Sequence, residues 1–80
     1  MFDNTKIKIK LAKVFLKILK LKTKKNIENL SMQNTKQWDS LNHLRLILEI
    51  EKSFNISFDI KKIPNLRSFR IIFLELVKKK

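Results

Sequence analysis

The stretch Trp38-Asp39-Ser40-Leu41 sets a hydroxyl between a carboxylate and the beginning of an apolar periodic run. Asp39 stands where its carboxylate can accept the free amide proton of Leu41 or Asn42 as an N-cap, which makes Ser40 the first helical residue. A hydroxyl there lies outside a helical bundle, beside amides that have no intrahelical acceptor. An anion held at that point meets the positive helix end, an effect of roughly 0.3–1 kcal/mol when exposed. Ser40 is therefore the residue to examine for covalent attachment. Trp38 reads as a packing residue that staples the start of the helix.

The other reactive residue types offer little. The chain has no cysteine, hence no disulfide, thiolate metal site or cysteine nucleophile, which fits a reducing cytoplasm. His43 is the only histidine. It falls near the apolar arc of its helix and reads as a packed surface residue, with no cluster of metal-ligand spacing around it. Nothing places Glu49, Glu51 and Glu75 in a shared cleft for acid–base work. A phosphate-binding glycine loop is excluded because glycine is absent. No residues support an enzyme, and no catalytic or metal-binding site is expected.

The elements that would position Ser40 follow from hydrophobic spacing. In residues 7–21, Ile7, Leu11, Val14 and Ile18 recur at the helical period, Phe15 widens the stripe, and Lys6, Lys10, Lys13, Lys17 and Lys20 form a row on the opposite side. Like charges one turn apart cost roughly 0.2–0.5 kcal/mol per pair, so burial elsewhere must offset them. Residues 22–37 are polar apart from Ile27, Leu30 and Met32 and predict a long loop docked through that island. In residues 41–54, Leu41, Leu44, Leu46, Ile47, Leu48, Ile50 and Phe54 cover well over half the circumference, as in a helix at the middle of a bundle. Its narrower polar face holds Asn42, Arg45, Glu49 and Lys52. A short third helix is expected at residues 59–63, stopped by Pro64. The last helix opens at Ser68 as N-cap and carries Phe69, Ile72, Phe73 and Leu76 at one-face spacing. Phe54, Phe69 and Phe73 are expected in the core.

Eighty residues make one small domain, with a modest core and little room for a deep substrate pocket, and no internal repeat or second domain interrupts residues 1–80. The net charge of +12 divides as +8 in residues 1–25 and +4 in the remainder. Such a surface attracts nucleic acid or anionic membrane without specificity. Abundant Lys, Ile, Asn and Phe with no Gly also match a genome rich in A and T, which weighs against a dedicated polyanion partner. No apolar run approaches the roughly 18 residues of a membrane span, and the lysines at 10, 13, 17 and 20 break any signal-peptide core.

Taken in order, Trp38-Asp39-Ser40-Leu41, His43-Leu44, Ile47-Leu48-Glu49-Ile50-Glu51, Phe54-Asn55-Ile56, Ile63 and Leu66-Arg67-Ser68-Phe69 resemble the acyl carrier proteins, the phosphopantetheine-binding carrier domains. The resemblance runs from about residue 36 to 77 and is architectural before that. It implies an all-α fold, a small four-helix bundle with a long loop between helices 1 and 2 and a short third helix. It further implies that a phosphopantetheinyl transferase attaches 4′-phosphopantetheine from coenzyme A to Ser40, giving a phosphodiester-linked thiol that carries acyl groups as thioesters. By the same resemblance Asp39 helps the transferase position a metal ion, and Leu41 anchors the helix start against the bundle. Acyl-loading and acyl-transfer enzymes are the implied partners of a monomeric, cytoplasmic carrier.

One departure stands out. The helix face that usually bears acids for docking basic enzymes carries Asn42, Arg45 and Lys52, with Glu49 and Glu51 remaining. Partners that steer towards an acidic carrier should bind it poorly, which points to dedicated enzymes outside housekeeping fatty-acid synthesis. Fatty acyl, polyketide, aminoacyl and D-alanyl cargoes share the attachment chemistry and stay open. Two readings come from another class. A basic helical nucleic-acid module is disfavoured because no recognisable turn joins two helices. For the lysine row, a solvated face stands beside weak contact with an anionic membrane surface.

Overall fold

Helices form where apolar residues at helical spacing meet a workable end, and the computed structural model, which describes residues 4–22 and 26–79, has three of them and no strand among those residues. Helix α1 spans Asn4–Leu19, α2 spans Ser40–Phe54 and α3 spans Phe69–Lys79. α1 starts and stops earlier than the spacing predicts. It ends at Lys20, whose φ of 54° turns the chain so that the Leu21 amide donates to the Leu16 carbonyl at 3.1 Å. With no glycine available, Asn26 and Asn55 take the other left-handed positions, at φ 61° and 54°. α3 is capped as expected, Ser68 Oγ accepting the Ile71 amide at 3.2 Å.

α1 is the helix shared between the other two. Its Leu11, Val14 and Phe15 are buried, and the Phe15 ring meets Trp38 edge-on at 5.1 Å and Phe69 at 5.0 Å. Around these rings pack Leu46, Ile47 and Ile50 of α2, Ile72 and Leu76 of α3, and Leu66. Phe54 and Phe69 are buried as expected, whereas Phe73 is half-buried at the core edge.

The long loop between α1 and α2 docks through the foreseen island. Ile27 is buried at the start of a 3-10 turn, Ile27–Asn29, and Leu30 and Met32 are half-buried against the core. Its backbone is held by an antiparallel bridge, the Met32 amide donating to the Arg67 carbonyl at 2.9 Å and the Phe69 amide to the Leu30 carbonyl at 3.0 Å.

Two expectations need correction. Residues 59–63 form no third α-helix, so the described residues make a three-helix rather than a four-helix arrangement, with a 3-10 helix at Ile63–Asn65. Pro64 has no amide to donate to the Ile60 carbonyl, so the next α-helical bond is impossible. The Ile63 amide takes that carbonyl instead at 3.3 Å, and Lys62 bonds Asp59 at 2.8 Å, so the segment closes by i to i+3 bonds. Too few residues remain to offset the cost of nucleating a helix.

The second correction concerns α2, which is not central. Leu41, Leu44 and Leu48 are 59%, 56% and 65% exposed, so its wide apolar arc is buried on one side only, through His43, Leu46, Ile47, Ile50 and Phe54. Urea unfolding should separate the two sides. Leu46→Ala should cost about 2–5 kcal/mol, as expected for a fully buried leucine, and Leu48→Ala less than about 0.5 kcal/mol.

Candidate functional site

At the start of α2, Asp39 is extended (φ −95°, ψ −175°) and its Oδ1 accepts the Asn42 amide at 2.9 Å, the N-cap that the sequence predicts. Ser40 follows as the first helical residue. It is exposed, and its hydroxyl makes no hydrogen bond among the described residues. The cap engages one Asp39 oxygen and leaves the other towards solvent.

A buried polar chain fixes this corner. Trp38, almost fully buried, donates its indole N–H to His43 Nδ1 at 3.0 Å, and His43 Nε2 lies 2.9 Å from the Ile63 carbonyl oxygen. An indole only donates and a carbonyl only accepts, so Nδ1 is the acceptor and Nε2 carries the proton. The geometry thereby selects the neutral Nε2–H tautomer, because a proton on Nδ1 would face the indole N–H. The two rings stack at 6.0 Å and 29°. Asn42 adds a tie, its Nδ2 donating to the Gln37 carbonyl at 2.7 Å, and the Trp38 amide donates to Thr35 at 3.0 Å. His43 is thus a buried structural residue rather than the surface residue expected. Nothing in its spacing could reveal the Ile63 carbonyl, which the fold brings from twenty residues away.

Ser40 opens on a recess of about 450 Å³ walled by Met32, Leu44, Ile63 and Pro64, with His43 at its base and Arg67 on its rim. Arg67 escapes sequence reasoning because only the bridge between its backbone and Met32 brings it to this wall. Its guanidinium makes no ion pair or hydrogen bond among the described residues. Leu41 departs from its implied role, since it projects into solvent rather than anchoring the helix start. The capping bond and the Trp38 chain do the anchoring.

The four residues foreseen for docking divide into two pairs. Arg45 and Lys52 are exposed and without ion pairs among the described residues, and so are free to meet a partner. Asn42 is spent on Gln37, and Glu49 is half-buried, accepting from Lys17 at 3.2 Å and from Ser53 at 3.4 Å. Glu51 accepts the Phe58 amide at 2.8 Å. Far from Ser40, the hydrogen bond and charge of Lys8, with Arg70 adding to them, hold the Glu28 carboxyl below its usual range.

No group of three or more His, Cys, Asp or Glu among the described residues is arranged to hold a metal ion, and no helix there is long and apolar enough to cross a membrane. No known protein-family model matches the chain, and no curated protein aligns with it significantly.

The polar chain makes the site sensitive to Trp38. Trp38→Phe removes the donor to His43 Nδ1 and leaves a cavity where the larger ring packed against Phe15, and should destabilise the protein by about 2–5 kcal/mol in urea titrations.

Proposed function

We propose that this chain is a carrier protein whose Ser40 hydroxyl accepts 4′-phosphopantetheine. The observation that carries the reading is an exposed, unbonded hydroxyl on the first residue of α2, directly after a capping carboxylate and at the mouth of a largely apolar recess. The residues suit the group. The free amides at the helix start and the Arg67 guanidinium favour a phosphodiester, and Met32, Leu44, Ile63 and Pro64 offer apolar surface along which an arm can lie.

In the attachment step the Ser40 oxygen forms a bond to the pantetheine-linked phosphorus of coenzyme A. The phosphoanhydride bond breaks, the adenosine bisphosphate half leaves, and the hydroxyl proton passes to a base of the transferase. Asp39, with one oxygen engaged by the cap, keeps a second oxygen with which it would help the transferase hold a metal ion. Once bound, the group supplies the thiol that this cysteine-free chain lacks, and that thiol holds acyl cargo as a thioester. Arg45 and Lys52, exposed along the helix that Ser40 begins, favour acyl-loading and acyl-transfer enzymes whose docking surfaces are less basic than those that seek acidic carriers.

Intact-mass measurement after incubation with coenzyme A and a phosphopantetheinyl transferase tests the assignment. The wild-type chain should gain one phosphopantetheinyl group and the Ser40→Ala variant none. Equal gain by the variant would remove Ser40 from the account.

A further inference from the structure

The outer surface of the α1–α2 pair collects cations and exposed apolar side chains beyond the few that tie the two helices together. The lysine row runs along the side of α1 away from the core, from Lys6 to Lys17, a stretch of about 16 Å at the helical rise, with Lys20 following just past the helix end. α2 lies beside it in the opposite direction. Lys10 Nζ sits 4.9 Å from the centre of the Phe54 ring, Lys17 pairs with Glu49 at 3.2 Å, and Lys20 lines a recess with Asp39 and Arg45. On α2, the side opposite the buried Leu46 and Ile50 presents Leu41, Leu48, Arg45 and Lys52, all exposed. Both rows face away from the core, lysines on one helix and leucines flanked by cations on its neighbour, with Lys17–Glu49 joining the helices between them. Of the acids on α2, Glu49 already pairs with Lys17 and Glu51 is occupied by the Phe58 amide.

We propose that this surface docks on an anionic lipid bilayer, with the lysine row over the headgroups and Leu41 and Leu48 reaching the acyl boundary. Charge complementarity with apolar side chains alongside is what interfacial binding to anionic lipid requires. The residue types favour lipid over an acidic protein. Lysine is a flexible point charge suited to a field of mobile anions, whereas arginine, the better bidentate partner for carboxylates, contributes only Arg45 here. The exposed apolar residues of α2 are leucines, which are scarce among the residues that dominate protein–protein binding energy.

Flotation with vesicles of phosphatidylglycerol in phosphatidylcholine tests the proposal on the full chain. The protein should float with these vesicles and not with pure phosphatidylcholine, and added salt should release it. Reversing Lys6, Lys10 and Lys13 together to Glu should weaken binding by about tenfold or more. Leu48→Gln should weaken it further. A charge-matched control, Lys61, Lys78 and Lys79 to Glu, should leave binding nearly unchanged. Equal loss in that control would mean that net charge rather than this face drives adsorption and would overturn the proposal. So would wild-type affinity in the Leu48 variant, or no vesicle binding while the lysine reversals weaken capture by an acidic protein. Ser40→Ala should bind vesicles normally, so failure here leaves the carrier reading standing.

Discussion

A buried indole N–H must find an acceptor, and the arrangement around α2 follows from how Trp38 meets that requirement. The ring packs edge-on against Phe15 in the core, and its N–H goes to His43, which passes its own proton towards the Ile63 carbonyl. Leaving such a group unsatisfied costs about 1–3 kcal/mol, a sizeable part of the stability of a domain this small. The chain is therefore held at three points, the residue before the cap, the first turn of α2 and the turn at Pro64. With those points set, Asp39 stands just before the first turn of α2, where it caps the Asn42 amide, and Ser40 faces outward.

The remaining stability must come from burial rather than charge. Among the described residues three ion pairs, Lys8–Glu28, Lys17–Glu49 and Lys62–Glu75, join side chains that are wholly or partly exposed, and pairs of that kind contribute about 0–1 kcal/mol each. Against them stands a net charge of +12 that repels itself. The aromatic contacts of Phe15 with Trp38 and Phe69, enclosed by aliphatic side chains from all three helices, are what the fold can set against that repulsion. Because α1 holds the core with one side and gathers the lysines on the other, it can do both without placing a cation in the interior.

The helices were legible because local signals agreed. Asp39 before an apolar run, Ser68 before another, and the spacing of Leu11, Val14 and Phe15 each carry a reason that acts within one or two turns. What needed the third dimension was less legible. Periodicity counts apolar residues without saying how many neighbours a helix has, so Leu41, Leu44 and Leu48 read as core although more than half of each is exposed. Pro64 was recognised as a stop, but its missing amide also removes the bond that a short helix before it would have needed. His43 and Arg67 take their meaning from the Ile63 carbonyl and the Met32 bridge, which no local pattern encodes.

Ser40 thus combines exposure, a fixed position and a free hydroxyl at the start of a helix whose exposed side carries Arg45 and Lys52. The decisive measurement is tandem mass spectrometry of the Ser40-containing peptide from protein isolated from its own cells. The account predicts a phosphopantetheinyl group on that serine, with acyl cargo on part of the population. A folded native protein whose Ser40 is uniformly unmodified, or which bears the group on another residue, would contradict it.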